Sequence, residues 1–415
     1  MSEKTSSCIV AGAGIIGACC AFYLQRRGLQ VTLIDPEQPG QSTSFGNAGG
    51  IAWTTPFPFS YPGAIRKVPG WLLDPAGPMR IRWSQALRVL PWLYRFWRAG
   101  TPDRVAEIIR AQMTLMQRAV PDFDDLLAAT GTEDLRERRG LIMHYDSARD
   151  FADEAWEYRE RDRLGLPWKL LGEDELAAME PAVRLGGGVA VFDPEWQHVT
   201  DPGALTARIA DAAIRLGAEW IHDRVVAVES DARTAAATCG SGRRVVAGHL
   251  VLATGVWSNA LLRQLGTSVP LMAKRGYHVM IARPTVTLRH PVMSNSRHVV
   301  LTPMRDGLRV AGTAEFAGLD APPDYARARA LLDNGRRMVP ELGGEGRTEW
   351  MGQRPMLPDS LPVIGPMRSH PRVLCAFGHG HYGLTQGPTT GRIISELALG
   401  ETPSVDPGPF SVERF

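Results

Sequence analysis

The period of hydrophobic and polar positions changes several times along the chain, and each change marks an element. Residues 7 to 24, SCIVAGAGIIGACCAFYL, carry no charge. Gly12, Gly14 and Gly17 would weaken a helix of this length in a bilayer, so the run divides instead into three parts. These are a short apolar strand from Ser7 to Val10, a tight turn, and a helix to about Arg27 that Gly28 stops. A second apolar strand, QVTLID, closes on Asp35. RVVAVES at 224 to 230 alternates as strands do, VVAGHLVLATG runs as a buried strand to Ala253, Thr254 and Gly255, and RVLCAF leads to Phe377. YHVMIA, HVVLTP and LRVAGTAEFAG alternate in the same way and predict a mixed sheet. Helical spacing appears in two places. Between 79 and 100, Trp83, Leu87, Leu90, Tyr94 and Trp97 recur with five arginines among them, interrupted by Pro91. Such a helix can lie on a membrane or cover a substrate domain, which is its commoner use. The charged stretch 144 to 163, HYDSARDFADEAWEYRERDR, reads as a solvated helix and receives no chemistry.

The first 35 residues make a complete βαβ opening with G-A-G-I-I-G at 12 to 17. Gly12 permits the tight turn, Gly14 lets the backbone approach a pyrophosphate, and Gly17 lets the helix lie close to the strand. Ile15 and Ile16 open the helix, whose positive end faces the phosphates. Asp35 stands where a carboxylate accepts hydrogen bonds from an adenosine ribose and disfavours a 2′-phosphate, so NADP is the least suited cofactor. These residues alone leave NAD and FAD both open.

The remaining composition narrows the class. A length of 415 residues suggests two domains or three. A formal net charge of +2 gives no basic field to recruit nucleic acid. The five cysteines form no CxxC pair and no zinc spacing, which favours a reducing cytoplasmic setting. The histidines are dispersed, and no metal site is expected.

After Asp35 comes Q-S-T-S-F-G-N-A-G-G at 41 to 50, a run of small residues able to lie along a dinucleotide. With the opening and the carboxyl-terminal run M-G-Q-R-P-M-L-P-D-S-L-P-V-I-G-P at 351 to 366, it resembles the D-amino-acid oxidase superfamily of flavoproteins. The nearest likeness is to its D-amino-acid dehydrogenase branch, and it extends over nearly the whole chain. The resemblance implies FAD, bound non-covalently because no cysteine stands beside Arg354. It places Ser42, Thr43, Ser44, Asn47, Ala48, Gly49 and Gly50 along the pyrophosphate, ribityl chain and flavin ring. It brings backbone at Val225 or Val226 to the adenine and makes Ala253, Thr254 and Gly255 a second dinucleotide contact.

The glycines of AFGHGHYGLTQG, Gly378, Gly380 and Gly383, form a loop entering a helix near Leu384 and Thr385, whose free N–H groups suit the electron-rich edge of a flavin. Arg354 is the first choice for a substrate carboxylate, since a guanidinium makes a planar bidentate pair with it. The family's L-R-P-x-x-P-D-G run supports that choice; Ser360 stands where the family has glycine. His381 and Tyr277 are the weaker candidates for touching substrate or flavin.

The expected fold is α/β of mixed type: a Rossmann-like FAD domain (1–50, 195–262, 350–415) interleaved with a substrate domain on a mixed or antiparallel sheet (51–194, 263–349). This is the D-amino-acid oxidase and glutathione-reductase-like architecture. The implied activity is oxidation of D-amino acids by hydride transfer from Cα–H to the flavin, giving an imine that water hydrolyses. Electrons would pass to a quinone or another carrier. The alternatives are a D-proline or cis-4-hydroxy-D-proline dehydrogenase, and a glycine- or sarcosine-type amine oxidase using O2. The location expected is cytoplasmic, with peripheral membrane contact open.

Overall fold

The computed structural model describes residues 7–62, 79–82 and 85–415; Trp83 of the 79–100 pattern lies outside them. The strands that build the site are β1 (Ser7–Ala11), β2 (Gln30–Asp35), β3 (Met272–Pro284), β4 (Gly307–Phe316) and β5 (Gly344–Met356). The helices are α1 (Ile15–Arg26), α2 (Ala86–Ala99), α3 (Pro102–Thr130), α4 (Ala155–Leu164) and α5 (Gly383–Ala398).

β1 pairs in parallel with β2 on one side and with His249–Leu252 on the other, so the strand order reverses at β1. The sheet runs Glu219–His222, β2, β1, His249–Leu252, Val373–Phe377, Val363–Pro366, and the last of these joins antiparallel. In such sheets a ligand lies beyond the carboxyl ends of the strands at the point of reversal. α1 leaves from the carboxyl end of β1, and α5 from that of the parallel strand Val373–Phe377. Both helix amino termini therefore face the same crevice.

α1 lies close along α5 because glycine replaces larger side chains at the contact. A Cβ on Gly391 would stand 2.7 Å from the carbonyl carbon of Cys19, and one on Gly387 3.2 Å from Cγ1 of Ile15. The far half of α3 closes the other side. The Thr389 hydroxyl donates to the Asp122 carboxylate at 2.7 Å, and Arg392 pairs with the same carboxylate at 2.9 Å. Residues 115 to 127 thus pack on the cofactor half, although the sequence assigned 51–194 to the substrate half.

Among the described residues the second large sheet has nine strands and is mixed, as its period-two segments predicted. β3 lies between β4 and β5, antiparallel to both. Parallel pairs occur between Val292–Ser294 and Leu141–Tyr145, and between β4 and Met79–Ile81. Because β5 continues to Met356 in this sheet, the expected boundary at 350 falls inside a strand, and Arg354 belongs to the substrate side.

α2 covers the nine-stranded sheet with Val89, Trp92, Phe96 and Ala99, and turns Leu87, Leu90, Tyr94 and Trp97 outward. Among the described residues no helix is long and apolar enough to cross a membrane.

The charged stretch 144–163 departs from its reading as a solvated face. Arg161 of α4 is fully buried, 3.0 Å from Asp193 and 3.4 Å from Glu157. Two acidic partners, Glu157 on the same helix and Asp193 from a distant strand, make that burial tolerable.

Candidate active site

The dinucleotide turn has the steric character its glycines imply. Gly12 has φ +105°, and a Cβ there would fall on the carbonyl oxygen of Ala253. A Cβ on Gly17 would fall on the carbonyl of Gly12. Gly14 is different: the nearest atom to a Cβ there is Ser44 Oγ, at 3.3 Å, a single hydroxyl rather than backbone. The N–H of Ile15 donates to Ser44 Oγ at 2.9 Å, and Gly14 provides no side-chain cap, so the amides of Ile16 and Gly17 are left for an anion. The Asp35 carboxylate accepts the N–H groups of Ala13 (2.7 Å) and Glu37 (2.8 Å), which fix it at the lip of the turn. Burial raises its pKa, partly offset by those two bonds.

The other residues expected at the cofactor gather around this crevice. Ala253 N–H donates to Ala11 at 2.8 Å, and the hydroxyls of Thr254 and Ser258 lie 3.1 Å apart ahead of Gly255. Val226 is exposed at a bulge, its carbonyl accepting from Gln264 at 3.0 Å. Asp223, three residues earlier, donates its N–H to Asp35 at 3.1 Å, which brings this strand to the adenosine end.

Thr43 donates to the Gln353 carbonyl at 3.1 Å, and the Asn47 side chain accepts from Gly49 at 2.7 Å. Gly49 (φ +84°) and Gly50 crowd against Val199 and Trp196, so the run from Ser42 to Gly50 is pinned on both flanks. The Thr385 hydroxyl accepts from Ala52 N–H at 3.0 Å and joins α5 to the same segment; Leu384 is buried beside it. Gly380 has open space around it, and α5 begins at Gly383 with no side-chain cap. The residues present thus fit FAD: a turn with no side chain at Gly14, two helix starts whose N-cap residues provide no side-chain cap, and a backbone-lined wall between them.

A cavity of about 450 Å3 adjoins that wall. Thr43, Asn47, Ala48, Gly50 and Gly380 line one side; Arg354, Lys274, His381 and a ring of aromatic side chains including Phe59, Trp92 and Trp350 line the rest. Arg354 is held by what is missing opposite it. A Cβ on Gly276 would fall on its guanidinium, and one on Gly352 would fall on the Trp350 indole. Arg354 Nη1 donates to the carbonyl of Thr313 at 3.1 Å. Thr313 has φ +58°, a conformation costing a β-branched residue about 1–3 kcal/mol. The strain turns its carbonyl to the guanidinium. Burial lowers Arg354 to about 10.

His381 lines the cavity, its ring 4.4 Å from Phe59 and its Nε2 without a hydrogen-bond partner. Burial, with Lys274 and Arg354 near, pushes its pKa well below the usual histidine range, so it is neutral. Tyr277 lines the cavity, but its hydroxyl is engaged elsewhere. It donates to Glu315 at 2.5 Å, accepts from Asp324 N–H at 3.1 Å, and is 1% exposed. On β3, Lys274, Gly276 and His278 share one face and Tyr277 takes the other.

The sequence reading missed Lys274 and the acidic far wall. Glu154 and Glu157 also line the cavity; Glu154 accepts from Tyr145 (3.0 Å) and Asn295 (2.8 Å), and burial lifts Glu157 to about 7. Ser360, in place of the family's glycine, keeps the left-handed conformation at φ +63°, and its Oγ accepts from Phe59 N–H at 3.1 Å. Among the described residues no group of three potential ligands could hold a metal. All five cysteines are buried, and none lines the cavity.

A doubly wound sheet with an uncapped phosphate turn, joined to a roofed cavity, defines a dinucleotide-dependent oxidoreductase with a separate substrate sheet. The chain belongs to the FAD-dependent oxidoreductase family, whose model matches residues 7–397. FAD is its cofactor. It is 36% identical over 413 residues to a D-amino-acid oxidase of Bradyrhizobium diazoefficiens, covering 98% of each chain. It is 31% identical over 427 residues to a D-amino acid dehydrogenase of Paramagnetospirillum magneticum, again covering 98% of each. Among solved structures, glycine oxidase from Geobacillus kaustophilus superposes with a TM-score of 0.76 at 22% identity, covering 99% of this chain and 98% of that one. L-proline dehydrogenase from P. horikoshii gives 0.75 at 19%, covering 99% and 97%. These two likenesses establish the fold.

Proposed function

We propose that the protein oxidises the carbon–nitrogen bond of a D-amino acid, with Arg354 holding the substrate carboxylate. The observation that carries this reading is the shared cavity. It holds a buried guanidinium, with no carboxylate partner among the described residues, together with the backbone-lined wall at which FAD would sit. The full-length relatives named for D-amino acids supply the substrate class.

FAD, when bound, supplies the acceptor for the hydride of the substrate α-carbon. The protein's own part is orientation. Arg354, fixed by the Thr313 carbonyl and the gap at Gly276, presents its free edge to a carboxylate in the bidentate manner. The aromatic ring around it excludes water, which strengthens that pairing. Neutral His381 offers a hydrogen bond without a charge. The test is anaerobic bleaching of the bound flavin by D- and L-amino acids, with proline and 4-hydroxyproline isomers included. Bleaching by linear D-amino acids supports the reading; bleaching by the cyclic isomers alone moves it to imino acids, and no bleaching by any member removes it.

α2 bears on the electron acceptor. Its inner residues Trp92, Leu93 and Phe96 line the cavity, while Leu87, Leu90, Tyr94 and Trp97 point out beside the exposed Arg88, Arg95 and Arg98. We infer that this face rests on an anionic lipid surface and that a quinone takes the electrons. Sedimentation with anionic vesicles tests the contact: Leu87→Ser with Trp97→Ser should abolish it, and equal binding by the double variant rejects it.

A further inference from the structure

The wall of β3 and β5 that faces the cavity carries two cations in register. Lys274 stands directly opposite Arg354 on the neighbouring antiparallel strand. Residues so placed have Cβ atoms about 4.5–5.5 Å apart, and like charges there repel. No carboxylate offsets either one among the described residues. Arg354 bonds the Thr313 carbonyl, and the Lys274 ammonium lies 4.7 Å from the centre of the Phe59 ring. A strand position that needed only to be filled would be better served by a neutral side chain. An anion lying between the two side chains would relieve that repulsion and favour the charged form of Lys274.

We propose that Lys274 is a second anion-binding group for the substrate carboxylate, closing a two-cation clamp with Arg354. The proposal rests on the carboxylate reading of Arg354 and adds to it a partner on the facing strand.

The clamp has a protonic consequence. In the free enzyme, burial and the neighbouring Arg354 lower Lys274 to about 7, so at and above neutral pH much of it is uncharged. A carboxylate arriving between the two groups favours the ammonium, so binding draws a proton from solution. Affinity for a carboxylate then falls as pH rises above 7, by at most about tenfold per pH unit. The other titratable groups around the cavity are His381, His298, Tyr61, Tyr277, Tyr382, Glu154 and Glu157. They remain in a Lys274 variant, so whatever they contribute to the pH dependence is common to both proteins.

The experiment titrates the FAD-loaded enzyme with benzoate, a carboxylate whose ring suits the aromatic wall. Flavin difference spectra are followed from pH 6 to 9.5, and heats are measured in buffers of differing ionisation enthalpy. Wild-type enzyme should show declining affinity above pH 7 with proton uptake. Lys274→Met should bind about tenfold more weakly at pH 6.5 and lose the lysine-dependent slope and uptake. Lys274→Arg should bind tightly with neither. Lys274→Met with wild-type affinity, slope and uptake would overturn the clamp. Arg354→Met separates the two readings. Binding lost in it alone sinks the clamp and keeps Arg354, whereas binding undiminished in both variants sinks both. FAD stoichiometry and the visible spectrum certify each variant as folded.

Discussion

The guanidinium of Arg354 lies where a side chain on Gly276 would be: a Cβ added there falls on its Cζ and both terminal nitrogens. The strand β3 is thus glycine at this point so that the strand β5 can lay an arginine across it. Gly276→Ala should displace the guanidinium without touching the dinucleotide turn. We expect FAD content unchanged and kcat/KM down about 10–100-fold, the scale of a misplaced charged hydrogen bond. Arg354→Lys should lose about as much or more, because an ammonium cannot make the bidentate pair. Steady-state kinetics on whichever substrate bleaches the flavin, with FAD stoichiometry alongside, checks both.

Gly12 and Gly14 are only two residues apart but should fail differently. A Cβ on Gly12 meets backbone of Ala253, and its φ of +105° is closed to other residues, so Gly12→Ala should destabilise the protein by several kcal/mol, about 3 or more. Gly14 has φ −68° and only Ser44 Oγ near a Cβ, at 3.3 Å, so Gly14→Ala should lower the melting temperature of the apoprotein far less than Gly12→Ala while weakening FAD. Thermal unfolding of apoprotein beside a flavin titration separates them.

Ser360 carries a left-handed backbone and a hydrogen bond at once. Ser360→Ala keeps the unfavourable φ and loses the bond to Phe59 N–H, and should cost about 1–2 kcal/mol. Ser360→Gly relieves the backbone, about 1 kcal/mol, and loses the same bond. It should melt near wild type yet show a higher KM, because Phe59 on the cavity wall is no longer anchored. A KM equal to wild type in Ser360→Gly would disprove the anchoring.

Lys274 should also mark the stability profile. Its folded pKa of about 7 lies below the 10.5 of an exposed lysine, so the unfolded chain binds more protons between those values and stability rises with pH across that window. Lys274→Met should therefore raise the melting temperature most at pH 6, by ~2–4 °C for each kcal/mol of repulsion removed, and progressively less toward pH 10. Calorimetry of both proteins at several pH values tests the trend.

What could be read from the sequence was what neighbouring residues decide. The dinucleotide opening was legible because Gly12 and Gly17 serve contacts within one βαβ unit and have few other reasons to occur in that order. Arg354 was legible through the long run around it. Lys274 and Tyr277 show where such reading stops. Both sit in K-R-G-Y-H-V, and choosing between them depends on which face of β3 looks at the cavity. That is set by pairing with β5, 70 or more residues away, and by a bulge between Arg275 and Tyr277 against β4. The acidic wall was missed for a related reason. Glu157 and Arg161 have solvated-helix spacing, and their burial depends on Asp193 from a distant strand.

The pairing of α1 with α5 joins almost the first residues of the chain to almost the last. During synthesis, α1 emerges early with its apolar surface bare, and the glycine-lined helix that covers it is made only after some 370 residues have left the ribosome. The crevice between the two helix starts does not exist until then. Cofactor loading therefore waits on the emergence of α5, and a ribosome stalled short of Gly383 would display a βαβ unit with nowhere to hold its flavin.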